Sequence, residues 1–161
     1  MSKLTKILLG TIYWTIQLTW GALMTIPGLI ITAFCILFLK GKAHRNGFSY
    51  IVEIGGNWGG LELGAVALSG NYSTNNKKWF EHTRSHEFGH SIQHLIFGPL
   101  FVFIIAIPSA IRYWYFRLTP NKPHQDYDYI WFEYTASKWG TFWINKIENK
   151  NNIYNYIRKK K

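Results

Sequence analysis

From Ile7 to Leu39 the chain carries no Asp, Glu, Lys, Arg or His. A run of that length has few possible homes. As one helix it would reach roughly 50 Å, more than the roughly 30 Å of a bilayer core. Its most apolar part, Trp20 to Leu39, has about the length needed to cross one. Ile7 to Thr19 includes Tyr13, Trp14, Gln17 and threonines, which suits an interfacial lead-in or a buried helix. Pro27-Gly28 offers a kink or a re-entrant turn. A cleaved secretory signal fits poorly, because the run is too long and no small-residue cleavage site closes it.

Lys3 and Lys6 precede the run, and Lys40, Lys42 and Arg45 follow it. Flanks of similar strength leave the orientation open. Eighteen Lys and Arg against eight Asp and Glu give a net charge of +10. That charge suits nucleic acid or anionic lipid. Lipid is the expected partner, because the cations flank apolar segments and no nucleic-acid-binding module is recognisable. The tail Arg158, Lys159, Lys160, Lys161 reads as a solvated end. Cys35, the only cysteine, lies inside the apolar run and rules out an intrachain disulfide.

Residues 44–76 are rich in glycine. Leu61 to Leu63 and Ala65 to Leu68 read as short strands. A polar loop from Asn71 to Lys78 leads into a helix from Trp79 to Phe97, with Thr83 or Ser85 available as a cap and Gly98-Pro99 as a stop. A second apolar block, Leu100 to Ile111, is interrupted by Pro108, and Pro120 to His124 reads as a linker. Tyr127 to Ile147 carries aromatic and aliphatic residues at helical spacing and reads as a partly buried amphipathic helix.

His86-Glu87-Phe88-Gly89-His90 is an H-E-x-x-H sequence. On a helix, residues i and i+4 share a face, so two imidazoles converge on one ion. Glu87 then stands where its carboxylate can hold a water polarised by that ion and take its proton. Two imidazoles and a carboxylate suit zinc best. A third protein ligand is required. Gln93 and Ile96 occupy the places where a metzincin would carry Gly and His, and His94 lies about 12 Å from His86 along the helix axis. Glu133, on the helix after the motif, is the expected third ligand.

With these residues the chain resembles the gluzincin metallopeptidases. In that group a second helix supplies a glutamate ligand, a small residue follows three positions later, and an acidic or amide group four positions later orients a ligand histidine. Ala136 matches the small position, whereas Ser137 departs from the usual Asp. The resemblance spans roughly Leu61 to Gly140. It implies a mainly helical α+β fold: a small zincin-like unit of motif helix, glutamate helix and short Gly-rich hairpin or edge strand, with an N-terminal membrane helix. It further implies that the strand carrying Leu61, Leu63 and Ala65 receives the substrate backbone as an added strand. Ser137, Tyr134 and Tyr129 are candidates for orienting a ligand or stabilising an oxyanion, alongside Tyr127 and His124.

The expected organisation is a membrane anchor at 1–42 and a minimal peptidase-like domain at 43–161, with an apolar re-entrant or interfacial segment at 95–118. A single crossing by that segment would put His90 and Glu133 on opposite sides, so dipping in and turning back is preferred. Pro108-Ser109 lacks the Asp of the second motif of site-two proteases. The expected activity is zinc-dependent hydrolysis of a membrane-near peptide or protein, in a membrane of the bacterial inner-membrane kind. The alternative is a non-enzymatic, toxin-like membrane protein with a structural or vestigial metal site.

Overall fold

The computed structural model describes residues 1–73, 76–121 and 129–149. The architecture is α+β and mostly helical. Two helices, α1 (Lys3–Leu18) and α2 (Ala22–Phe38), precede four short strands: β1 (Lys42–Asn46), β2 (Ser49–Glu53), β3 (Gly60–Leu63) and β4 (Val66–Ser69). The long helix α3 (Lys77–Phe97) follows. A 3-10 turn (Gly98–Leu100) and a π-helical turn (Val102–Ala106) then lead into α4 (Ile107–Leu118), and α5 (Trp131–Glu148) comes last.

The uncharged N-terminal run is not one membrane helix but two helices, broken at residues 19–21 and bent by 99°. The break does not fall at Pro27, which sits inside α2. Thr19 explains the break: its hydroxyl donates to the carbonyl of Thr15, and its N–H is shared between Thr15 and Ile16, which ends α1. The apolar segment after α3 also turns, by 118°. Among the described residues no single helix is long and apolar enough to cross a membrane, although each bent pair is when taken together.

The sheet order is β1-β2-β4-β3. β1 and β2 form an antiparallel hairpin, β2 pairs parallel with β4, and β3 runs antiparallel to β4 at the sheet edge. β4 is buried along its whole length because α2 packs on one face and α3 on the other. Leu61 and Leu63 lie on the edge strand as the sequence leads one to expect. Ala65 does not: it sits in the β3–β4 turn, fully buried against Tyr13 and Phe88. The β1–β2 hairpin was not expected from the sequence, although Asn46-Gly47 between two short runs is a strong hairpin signal.

α3 begins two residues earlier than expected. Its cap is Asn76, whose side chain accepts the Trp79 N–H at 3.1 Å, rather than Thr83 or Ser85. The helix then runs antiparallel to α5, and theirs is the most extensive contact among the described elements. Small residues permit this closeness. A methyl group on Gly89 would lie 1.8 Å from the Ala136 carbonyl oxygen, and one on Gly140 would lie 1.7 Å from that of Ser85. At the far end Arg84 grips the Glu148 carboxylate with two bonds of 2.8 and 2.6 Å, and its Nε donates to Glu81. α1 belongs to the same core: Tyr13 packs on Phe88, and the buried Gln17 amide donates to the carbonyls of Gly64 and Ser91.

Candidate metal centre

One turn of α3 separates His86 from His90, and their rings meet at an edge, with Nε2 atoms 3.0 Å apart. Glu133, on the first turn of α5, brings Oε2 to 2.9 Å from His86 Nε2 and 3.3 Å from His90 Nε2. These are the only three groups among the described residues that could hold a metal together. Ligand atoms around a tetrahedral zinc, each about 2.0–2.1 Å from the ion, stand about 3.3 Å from one another. The donor triangle, with edges of 2.9, 3.0 and 3.3 Å, comes close to that spacing.

The chemistry of the donors also fits a cation. His90 Nδ1 lies 2.8 Å from Gln93 Oε1. The Gln93 amide is fixed in that sense, because its Nε2 donates to the Phe132 carbonyl and the Thr135 hydroxyl, each at 2.7 Å. His90 must therefore donate through Nδ1, which makes Nε2 the nitrogen that faces the centre. His86 Nδ1 meets the Ser137 hydroxyl at 2.8 Å, which leaves its Nε2 facing Glu133. With both rings neutral and their Nε2 atoms unprotonated, two lone pairs and a carboxylate would meet at one point and repel each other unless a cation lay between them.

Burial opposes ionisation of Glu133, but hydrogen bonds from His86 and His90 outweigh it and hold the carboxyl well below the ordinary glutamate range. The same contacts lift His90 to about 9 against the effect of its own burial. Because a ligating imidazole must be neutral, a metal ion held here would take over the role of that proton.

Glu87 lies against the edge strand. A methyl group on Gly60 would come within 2.2 Å of its Oε1, so the strand makes room for the carboxylate only by lacking a side chain there. The Glu62 N–H donates to it. Burial raises the Glu87 carboxyl above its ordinary value; His86 and His90 oppose that shift and Glu133 reinforces it.

The structure thus brings His86, His90, Glu133 and Ser137 together, with Glu87 beside them. Tyr134 turns along the surface of α5 towards Lys138, whose ammonium lies 5.8 Å from its ring centroid. Tyr129 is half-exposed just before α5. Tyr127 and His124 lie outside the described residues, as does the charged tail. His94 is not part of the ligand group: its ring is fully buried against Phe101, 3.7 Å from Glu62.

Sequence reasoning missed two residues that touch the ligands. Gln93 carried a signal, since it stands three residues after His90 on one helical face. Ser109 carried none: its hydroxyl donates to Glu133 Oε1 at 2.5 Å, and the sequence, though it marks a break at Gly98-Pro99, does not say which later residue returns to the carboxylate. Glu62, a buried carboxyl beside Glu87 whose pKa is raised well above the usual value mainly by burial, also went unnoticed.

No family model matches the chain, and no curated protein or solved structure matches it significantly.

Proposed function

We propose that the chain is a membrane-associated, zinc-dependent metallopeptidase. The observation that carries this reading is the convergence of His86 Nε2, His90 Nε2 and Glu133 Oε2 within 4.8 Å of one another, from two helices, with the Glu87 carboxylate alongside. His86, His90 and Glu133 would hold the ion, and Ser137 and Gln93 would orient the two rings. Zinc would supply Lewis acidity to a water and to the scissile carbonyl. Glu87 would accept the proton of that water and later pass it to the leaving amine. The strand β3, one edge of the sheet, has its backbone beside Glu87 and is suited to receive an extended peptide. Membrane association is supported by the exposed apolar side chains of α1 and α2, among them Leu4, Ile7, Leu8, Ile30, Leu37 and Phe38, between basic flanks.

A second reading, a purely structural metal site, is favoured by one observation: all three donor residues are buried. Metal analysis of the purified chain, followed by cleavage of a peptide pool with and without a chelator, separates the two. The peptidase reading expects one zinc per chain and cleavage that the chelator abolishes. Glu87→Gln should keep the metal and lose hydrolysis; a variant that cleaves as fast as the parent removes Glu87 from the chemistry.

A further inference from the structure

The two bent helical pairs meet at their bends. α1 and α3 run side by side in one direction: Tyr13 packs on Phe88, Gln17 donates to the Ser91 carbonyl, and Gly21 lies against His94. Both reach their elbows at one place, where a methyl group on Gly98 would strike the Trp20 ring. Leu18, Trp20 and Leu23 at one elbow and Ile96, Leu100 and Phe103 at the other are 46 to 68% exposed. The polar groups at this point turn inwards. The buried Thr25 hydroxyl donates to the Gln17 amide, which itself donates to the Gly64 carbonyl, so the β3–β4 turn fills the inside of the joined pairs.

Charge is arranged the opposite way. No Asp, Glu, Lys or Arg lies between Lys6 and Lys40, or between Glu87 and Arg112. His90 and His94, within the second stretch, are buried. Exposed cations stand where the four arms end: Lys3 on α1, Lys40 and Lys42 after α2, Lys77 and Lys78 on α3, and Arg117 on α4. The bends of 99° and 118° make each pair a V. Arms of about 25 Å (α1, α2, and Val102 to Leu118), opened by about 80° and 60°, put each elbow about 20 Å below its arm ends. The longer α3 carries Lys77 and Lys78 further out. Half of a bilayer, headgroups included, is about 20–22 Å thick. An uncharged tip of that depth, with cations around its mouth, complements one leaflet and its phosphates.

We propose that the two pairs form one wedge that enters a single leaflet elbow-first and leaves all four arm ends on the same side of the membrane. His86 and His90 lie about 12–18 Å before Gly98 along α3, which puts the metal-binding group where hydrocarbon meets headgroups. The wedge rests on the membrane association proposed for the chain, not on the peptidase chemistry. Given that chemistry, the substrate is a polypeptide segment lying at the same level of the membrane surface.

The test uses the full chain with Cys35→Ala, added from detergent to preformed vesicles of phosphatidylcholine and phosphatidylglycerol. Single cysteines are placed at the arm ends (Lys3→Cys, Lys42→Cys, Lys77→Cys, Arg117→Cys) and at the elbows (Leu23→Cys, Phe103→Cys). All four arm-end thiols should react with an impermeant maleimide while the vesicles are intact. Fluorophores on the elbow thiols should be shielded from iodide and quenched most by a spin label near the middle of the acyl chains. Stronger quenching by a headgroup spin label would overturn the depth. An arm end that reacts only after detergent is added would overturn the single leaflet and leave membrane association standing. Elbow labels shielded from iodide but untouched by either spin-labelled lipid would mean that a second copy covers them, and would overturn the wedge. Labels open to iodide would overturn the wedge and membrane association together. If the substituted chains fail to fold, an impermeant amine reagent on the unsubstituted chain, read by mass spectrometry, asks the same of Lys3, Lys42 and Lys77; a protected lysine among them overturns the single leaflet. No readout needs zinc or turnover, so an inactive centre leaves the result standing.

Discussion

The Ser137 hydroxyl lies 2.8 Å from His86 Nδ1, so a ring on the motif helix is aimed by a residue from the glutamate helix. The contact fixes the ring plane and leaves Nε2 facing Glu133. A hydroxyl does this more weakly than a carboxylate, because it adds no negative charge behind the ring.

Ser137→Ala should therefore lower zinc affinity by about 10–100-fold, in the range typical of lost ligand-orienting partners. Ser137→Asp should retain or tighten binding. Competition with a fluorescent chelator measures both, and unchanged affinity in the alanine variant would show that the ring is held by packing alone.

Gln93 is the matching partner of His90, and it also ties α3 to α5 through Phe132 and Thr135. Gln93→Leu removes all of these bonds and leaves the buried Phe132 carbonyl without this donor. Thermal unfolding should show a loss of about 2–4 kcal/mol, the sum of a lost bond and an unsatisfied group. Zinc affinity should fall with it.

Gly89 meets the Ala136 carbonyl too closely for any added carbon. Gly89→Ala should push the two helices apart, cost more than about 3 kcal/mol through overpacking, and abolish stoichiometric zinc binding. Gly55→Ala is the control, since nothing lies within 4 Å of the added carbon. If circular dichroism melts place both variants at the parental midpoint, the helix contact is looser than described.

Glu53 anchors the loop that leads into α3. Its carboxylate accepts the N–H groups of Tyr72 and Ser73 at 2.8 and 2.6 Å and meets His44 Nε2 at 2.8 Å. Burial would raise its pKa, but these bonds win and hold it below the ordinary value of 4.5. A depressed carboxylate contributes its stability above the unfolded value and loses it as pH falls through the folded one. The melting temperature of the parent should therefore drop more steeply below pH 4.5 than that of Glu53→Gln, while the parent is the more stable of the two at neutral pH. Parallel curves would mean that Glu53 does not set the acid response.

The helical pair of the centre was legible because its signals are local. His86 and His90 announce a shared face by spacing, and Glu133 lies in a helix with clear periodicity. Leu61 and Leu63 were legible as a strand for the same reason. What stayed hidden depends on the approach of distant segments. Ser109 reaches Glu133 because the chain turns by 118° between Leu100 and Val102; Gly98-Pro99 marks the break, but nothing local marks which residue it delivers to the carboxylate. The break between α1 and α2 hides because Pro27 is the louder signal, whereas Thr19 stops the helix with side-chain bonds to its own backbone. Ala65 was misplaced because the apolar alternation of Leu61 to Leu68 runs straight through the turn that removes it from the strand.

The third donor lies 43 residues beyond His90, on the last helix of the described chain. As the chain emerges from the ribosome, the two histidines are therefore synthesised well before the carboxylate that completes their grip. Until α5 arrives, Gly89 and the carbonyl of Ser85 have no partner surface, and α3 cannot close over an ion. A site that needs all three donors would therefore close around an ion only after the glutamate helix has been made, as a late step instead of a nucleus around which the chain folds.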